Sequence, residues 1–394
     1  MRILLSDGAG LTSRQSATLL ARAGHRVEVL SPGLMCLCRF TRYVRRVHRV
    51  PAYGKDPFGW LTVARRVVER RRIDLLLPTQ EQVAVLALAA ERFGVPTVVP
   101  EFGALARVQD KVSAAATLRE LGVPQPDSVV VRSRDELAEV EGFPAYVKSA
   151  IGTASTGVRR VRDRADLLRT AGDLAGGVLV QRAVEGVLVM VQAVFAEGDL
   201  VAFHACERVR EGVSGGASHK RGRTLPEVRE LVTVLGRGLR WHGALSADVI
   251  LTDDGPLLID VNPRLVEPVN AYRSGVDLLG ALLEIAETGR SEPQGAAWSG
   301  VATHQVLLGV LGAAQQGRGA VVRELAEAVL RRGDYRGSGE ELTPLSRDPI
   351  AAVPVVAAGL TTLVRPEAWR HFTSGSVGAY ALTPEAWREL VGAG

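Results

Sequence analysis

Ala244-Leu245-Ser246-Ala247-Asp248-Val249-Ile250-Leu251-Thr252-Asp253-Asp254-Gly255-Pro256-Leu257-Leu258-Ile259-Asp260-Val261-Asn262-Pro263-Arg264 reads as two apolar strands, Ala244 to Leu251 and Pro256 to Val261, folded back on each other at Asp253-Asp254-Gly255. An Asp-Gly pair between alternating apolar runs is a strong hairpin signal, because both residues tolerate the positive φ angles of a tight turn. Pairing about that turn brings Asp248 close to Asp260. Asp260 and Asn262 are two apart and project to one face of an extended chain, so two carboxylates and an amide oxygen converge. Hard oxygen donors in that number leave room for water and phosphate oxygens, and suit Mg²⁺ on a nucleotide better than zinc. Arg264 shares the face and is able to brace a phosphoryl group. Read alone, Asp-x-Asn-x-Arg is equally an exposed strand end before a proline turn.

The lysines add to this. Only Lys55, Lys111, Lys148 and Lys220 stand among 48 basic residues. A lysine is a compact point charge that slips between phosphate oxygens where the broad arginine fork does not. Lys111 opens a helix after Gln109-Asp110, and Lys148 ends an apolar strand before the Gly/Ser/Thr loop Ser149 to Gly157. Lys220 follows a second glycine-rich loop, Ser214-Gly215-Gly216-Ala217-Ser218-His219. That loop is either an anion cradle or an exposed turn, and His219 reads as structural or solvated rather than as a base.

Composition bounds the classes. The 394 residues are enough for two or three domains, with 46% hydrophobic and 23% charged residues, as in ordinary globular proteins. The net charge of +5 and pI of 9.4 raise nucleic acid as a partner. The basic residues are scattered along helix faces such as Ala64 to Arg72, and only 5% of residues are aromatic, so no nucleic-acid partner is expected. No apolar run reaches membrane-span length; Ile350 to Val364, broken by Pro354 and Gly359, reads as buried strand and turn. Three cysteines, Cys36, Cys38 and Cys206, make neither a disulfide framework nor a zinc set, and with no leader pattern the cytoplasm is the expected compartment.

Along the chain, strands at Ile3–Leu5, Val27–Leu30, Ile73–Leu77 and Thr97–Val99 alternate with helices, which predicts a Rossmann-like parallel sheet over residues 1–105. The loop Asp7-Gly8-Ala9-Gly10-Leu11 matches a dinucleotide fingerprint only in part, with Arg14 or Gln15 where a third glycine belongs, and reads as structural. Residues 106–185 are expected to form a small lobe with the phosphate loop and a helix carrying Asp110-Lys111 to Leu121. Residues 186–295 are expected to form a larger antiparallel lobe with the acidic hairpin, and 296–394 a C-terminal α/β extension.

Two distant lysines, a loop, a hinge-like Gln181-Arg182-Ala183-Val184 and the acidic hairpin occur in one order that resembles the ATP-grasp superfamily, especially the branch with a carbamoyl-phosphate-synthase-like N-terminal domain. The resemblance spans roughly residues 1 to 290. It implies a two-lobed ATP-grasp fold with antiparallel sheets. It also implies nucleotide contacts from Lys111, Lys148, Ser149, Thr153, Ser155, Gln181, Arg182, Ala183, Val184 and Glu185, and Mg²⁺ or Mn²⁺ on Asp248, Asp260 and Asn262. Arg264, Lys148 and Arg208 are its catalytic candidates, Arg208 standing after a strand and before the second loop, while Ser214, Gly215, Gly216, His219, Lys220 and Arg221 are the substrate-side candidates. There are departures: Ala150 and Ala154 stand where glycine is often found, aspartates replace glutamates at the metal positions, and Val187-Leu188 replace the acid that holds the ribose.

The implied activity is an ATP-dependent carboxylate–amine ligase acting through an acylphosphate on small molecules such as amino acids or small peptides. A carboxylating or carbamoylating enzyme using carboxyphosphate, and a nucleotide-binding protein without turnover, are the alternatives. A nicotinamide oxidoreductase leaves Lys111, Lys148 and Asp260 unexplained. A homodimer is the expected assembly.

Overall fold

A computed structural model describes residues 1–94, 96–171, 177–342 and 347–394, with only the backbone for 91–93. Fifteen strands among these residues form three sheets. The first contains β1 (Arg2–Leu5), β2 (Arg26–Ser31), β3 (Val44–Arg49) and β4 (Leu75–Leu77), all parallel in the order β3-β2-β1-β4. Continuous apolar runs such as Ile3-Leu4-Leu5 and Leu75-Leu76-Leu77 are fully buried, as strands covered on both faces must be. Two expectations are corrected here. Thr97–Val99 is not a strand, although Pro96 accepts a bond from the Leu76 amide at 3.1 Å. The fourth strand is instead β3, an edge strand whose arginines keep it soluble on its outer side.

The second sheet is antiparallel, with β5 (Ser128–Val131), β6 (Ala145–Ser149), β7 (Val158–Val161) and β8 (Val178–Arg182) in the order β5-β8-β6-β7. It closes over Val131, Leu137, Val147, Val161, Leu167 and Val180. The third sheet runs β13-β12-β9-β10-β11-β14-β15, from β9 (Val187–Ala196), β10 (Asp199–Glu211), β11 (Ala217–Arg223), β12 (Gly243–Thr252), β13 (Gly255–Asn262), β14 (Ala302–His304) and β15 (Gly339–Glu340). Helix Pro226–Gly238 lies so close to this sheet that a β-carbon on Gly236 would sit 2.1 Å from the Phe195 ring. The hairpin pairs about its turn, and a one-residue shift between the pairs Val249–Leu258 and Asp248–Asp260, which passes over Ile259, sets Asp248 opposite Asp260 and Ser246 opposite Asn262.

Three further readings are corrected. The helix around Lys111 is two helices, Phe102–Gln109 and Lys111–Glu120; between them Asp110 turns extended, and its carboxylate accepts from the amides of Val112 (2.7 Å) and Ser113 (3.1 Å) as an N-cap. β10 continues to Glu211, so Arg208 stands within a strand rather than after one. Ala352–Val364 is helical: Pro354 falls in the first turn, where a missing N–H costs nothing, and Gly359 is accommodated inside. Several apolar side chains of that helix are exposed, Leu360 and Val364 among them.

Residues beyond 295 do not stand apart. β14 and β15 extend the large sheet, and Leu382, Ala386, Trp387 and Leu390 join the same core as Trp60 and Leu86 of the first hundred residues. Among the described residues no helix is long and apolar enough to cross a membrane.

Candidate active site

The two lysines meet at the hairpin. Lys148, near the end of β6 and only 6% exposed, donates to Gln181 Oε1 at 2.8 Å and to the carbonyl of Ile259 at 2.7 Å. Lys111, at the start of its helix, donates to the Gly152 carbonyl at 3.1 Å and lies 3.7 Å from Asp260 Oδ1. One lysine comes from the small sheet and the other from the helix preceding it, and both reach β13 of the large sheet. Burial, together with the charge of Lys111, pulls the Lys148 pKa down, and only the carboxylates of Asp260 and Asp248 oppose that. A lysine so placed is short of negative charge, which phosphate oxygens supply.

The carboxylates are under the reverse strain. Burial and then the charge of Asp260 push Asp248 up to about 7, with Lys148, Arg208 and Arg264 pulling it back. Asp248 and Asp260 face each other in register, with Asn262 two residues on. A divalent cation would relieve that repulsion, so the donor set fits a hard metal. Among the described residues no group of three or more His, Cys, Asp or Glu gathers as ligands. Two carboxylates and one amide therefore suit an ion that keeps water or phosphate oxygens in its shell, as Mg²⁺ does.

The loop from Ser149 to Gly157 is pinned at both ends. Ser149 N–H donates to Gly157 O at 2.9 Å, and the Lys111 amide to Ala150 O at 2.9 Å. Ala154 (φ 53°) and Ser155 (φ 61°) adopt left-handed backbone although neither is glycine. The loop tip meets the second loop, where a β-carbon on Gly215 would lie 3.4 Å from Ser155 Oγ. Arg208 donates to the Gly215 carbonyl at 2.8 Å and pairs with Glu211 at 3.3 Å. Arg208, Ser214, Gly215 and Gly216 thus come to the phosphate loop, with Ser214 itself at φ 54°.

The other substrate-side candidates go elsewhere. Lys220 is 3% exposed and is held between Glu267 and Glu341, the latter at 2.8 Å. Burial disfavours its charge, but the two carboxylates outweigh that and raise its pKa, so the ammonium has its anions already. His219 packs against His304 and Tyr335; burial, then the charges of Arg210 and His304, lower its pKa to about 3 and keep it neutral. Arg221 is half exposed and 3.6 Å from Glu207. None of the three lines the metal hairpin.

In the hinge, Gln181 is committed to Lys148, Arg182 N–H donates to Asp127 O at 2.8 Å, and Ala183 N–H to Pro144 O at 2.9 Å. Val184 is half-buried, Glu185 exposed, and Val187 exposed at the start of β9. Gly186 is required by geometry: its φ is 151°, and a β-carbon would meet Leu251 O at 2.2 Å.

Glu81 is the residue that sequence reasoning missed. It follows β4 in the first sheet, yet its carboxylate accepts from Arg264 Nε (3.0 Å), Gln109 Nε2 (3.0 Å) and Thr153 Oγ1 (3.3 Å). One side chain thereby ties the first sheet, the phosphate loop and the arginine beyond the metal hairpin. Locally, Pro78-Thr79-Gln80-Glu81 before helix Val83–Phe93 looks like an ordinary helix start. A surface cleft of about 740 Å³ between Glu197, Arg229 and Arg290 contains none of the candidate residues.

A two-lobed nucleotide fold with paired lysines facing an acidic hairpin defines the ATP-grasp class, and residues 108–268 match the ATP-grasp domain family. Over that stretch the chain is similar to ATP-grasp domains. Residues 7–150 also match the glycosyl transferase 4-like domain family, in keeping with the parallel β/α alternation of that region. Among relatives, a probable alpha-L-glutamate ligase of Thioalkalivibrio sulfidiphilus is 29% identical over 299 residues, covering 72% of this chain and 94% of that one. The carbamoyl phosphate synthase large chain of Thermus thermophilus is 26% identical over 225 residues, covering 52% of this chain. The chain spans 22% of the length of that relative. Among solved structures, the biotin carboxylase domain dimer of Hydrogenobacter thermophilus 2-oxoglutarate carboxylase, in complex with MgADP, ADP and bicarbonate, superposes with a TM-score of 0.63 at 16% identity, covering 76% of this chain and 73% of that one. That identity establishes a shared fold alone.

Proposed function

We propose that this chain is an ATP-dependent carboxylate–amine ligase that releases ADP and phosphate. The observation that carries the reading is the convergence of Lys148 and Lys111, from separate elements, on Ile259 and Asp260 of the acidic hairpin. The probable glutamate ligase supports an amide-forming reaction, and the MgADP complex of the carboxylase neighbour supports nucleotide and magnesium at this fold position.

Lys111 and Lys148 hold the nucleotide phosphates, with Ser149, Thr153 and Ser155 of the loop over them. Asp248, Asp260 and Asn262 would hold Mg²⁺ or Mn²⁺, which when bound neutralises charge on the phosphate oxygens. A substrate carboxylate oxygen attacks the γ-phosphorus, the bond to the ADP oxygen breaks, and an acylphosphate forms. Arg264, oriented by Glu81, and Arg208 face the charge that develops on the transferred group. An amine nitrogen then attacks the acyl carbon, phosphate leaves with the electron pair, and the nitrogen gives a proton to solvent. Contact between the two loops at Ser155 and Gly215 screens the acylphosphate from water. We divide the chain at about residues 105, 185 and 295, place it in a reducing cytoplasm that matches its three buried free cysteines, and expect a homodimer.

The bicarbonate bound by the carboxylase neighbour favours a second reading, activation of bicarbonate to carboxyphosphate. ADP release with Mg²⁺-ATP over a panel of amino acids, amino-acid pairs and bicarbonate separates the two. Turnover that needs a carboxylate and an amine together, and is lost in Lys148→Ala and Asp260→Ala, supports the ligase. Turnover with bicarbonate alone supports the second reading, and silence throughout refutes both.

A further inference from the structure

Nineteen large apolar side chains stand exposed among the described residues, and those scattered singly over the surface are ordinary. Eight of the nineteen fall between Val322 and Val364, on or beside two helices, Arg318–Leu330 and Ala352–Val364. The two run antiparallel: Arg318, at the start of the first, donates to the carbonyl of Val364, at the end of the second, at 2.6 Å. They also pack closely, since a β-carbon on Gly359 would lie 3.6 Å from Leu325 Cδ1.

Spacing decides which faces they show. Val353, Val356, Leu360 and Val364 recur at three- and four-residue intervals and form one stripe of the second helix, with Leu360 62% exposed. Val322, Val329 and Leu330 form a stripe on the first, with Val329 79% exposed. The inward faces are already occupied: Ala358 is buried with Val213, Leu308 and Leu311, and Val321 with Val310 and Ala314. Val213 opens the 3-10 turn of the second glycine loop, so the helix pair is clamped to the body of the protein and its outer face is firmly held.

Charge is absent from the middle of that face. Helix Ala352–Val364 has no charged residue, and the acids of the other helix turn away, with Glu324 and Glu327 lying 2.6 and 3.6 Å from Arg210. Loss of charge at the centre marks surfaces that meet another protein chain. A lipid surface calls for aromatic anchors beside a lysine- or arginine-rich flank, and neither helix contains an aromatic ring.

Size agrees. Thirteen residues give each helix a length of about 20 Å. With neighbouring axes about 10 Å apart, the face measures roughly 20 by 20 Å, or about 400 Å². A standard interface buries about 800 Å² per partner, a little over half of it apolar, and the face supplies that apolar share. Arg323, Thr361 and Arg365, all exposed, stand at its edges as a polar rim. A flat two-helix face meets its own copy about a two-fold axis as a four-helix layer, each side offering what the other needs.

We propose that the face formed by helices Arg318–Leu330 and Ala352–Val364 pairs with the same face of a second copy of this chain, with Val329, Val356 and Leu360 in the apolar centre. The homodimer then has a specific surface. The inference does not depend on the ligase reading.

The test measures the mass of the full chain by sedimentation equilibrium over a micromolar concentration series. The parent is expected at twice the 42.1 kDa chain mass. Leu360→Glu and Val329→Glu each place an unpaired charge in the centre and are expected to raise the dimer Kd about a hundredfold or more. Their circular dichroism should match the parent, because both side chains are more than half exposed. Val234→Glu, at an exposed apolar position on helix Pro226–Gly238, should leave the dimer intact. A monomeric parent overturns the proposal, and so does a dimer that survives both central substitutions or one that Val234→Glu also dissociates. Flotation of a monomeric parent with anionic vesicles, lost in Leu360→Glu, overturns it in favour of a lipid surface. If the glutamate variants do not fold, Leu360→Ser decides in their place: a Kd raised about tenfold is expected from the lost apolar contact, and an unchanged Kd overturns the pairing.

Discussion

Metal affinity should fall as pH falls through neutrality, and Asp248 sets by how much. Without metal, burial and the facing Asp260 hold Asp248 at about 7, while a metal binds only the ionised carboxylate. The folded pKa is raised, so the protonated form is favoured below about 7 and must give up its proton to admit the ion. Between pH 8 and pH 6 the ionised fraction drops from about nine-tenths to about one-tenth, so the apparent Kd for Mn²⁺ rises about tenfold if one proton is released per ion. Free Mn²⁺ is counted directly by electron paramagnetic resonance, with the nucleotide-free protein titrated at pH 6, 7 and 8. Asp248→Asn should bind more weakly at pH 8 and show a nearly flat profile. Equal affinity at pH 6 and pH 8, or an unchanged slope in Asp248→Asn, refutes the assignment of this carboxylate as a ligand.

Lys148→Ala should lower ATP-dependent ADP release about a hundredfold or more; it also leaves Gln181 Oε1 and Ile259 O without their donor, so an unfolding free energy lower by about 1–3 kcal/mol in urea titration should accompany it. Glu81→Ala strands Arg264, which is 10% exposed, and should destabilise by about 3–5 kcal/mol; an unchanged urea midpoint would show that Glu81 is not the hub the contacts describe. Lys220→Met leaves Glu267 and Glu341 buried without a cation, and a similar loss of stability is expected. Loss of activity alone, with the midpoint intact, would return Lys220 to the substrate side.

Much of the fold was legible because local signals agreed with one another. The Asp253-Asp254-Gly255 turn was enough to pair β12 with β13 and bring Asp248 near Asp260, whereas the one-residue shift at Ile259 that sets the two face to face had no local signal. Where local and tertiary requirements diverged, the sequence misled. β3 carries Arg45, Arg46, His48 and Arg49 and lacks the alternation of a half-buried strand, because it is an edge. Pro354 looked like a breaker but occupies the first turn of a helix. At the site, Lys148 and Lys111 are recognisable from the elements they end or begin, whereas the partners of Lys220 are 47 and 121 residues away. Glu81 is 183 residues from Arg264. Such pairings carry no local periodicity, so a lysine beside glycines looks the same whether its anion is a ligand or a distant glutamate.

The sharing of Trp387 and Leu390 with Trp60 and Leu86 in one core bears on how the chain is made. A ribosome delivers the first sheet before the other two, but the side chains that finish its packing are translated only after all three. Until then that apolar surface stays open, so the first hundred residues should depend on chaperone shelter during synthesis, and a stop codon near residue 380 should damage the domain made first.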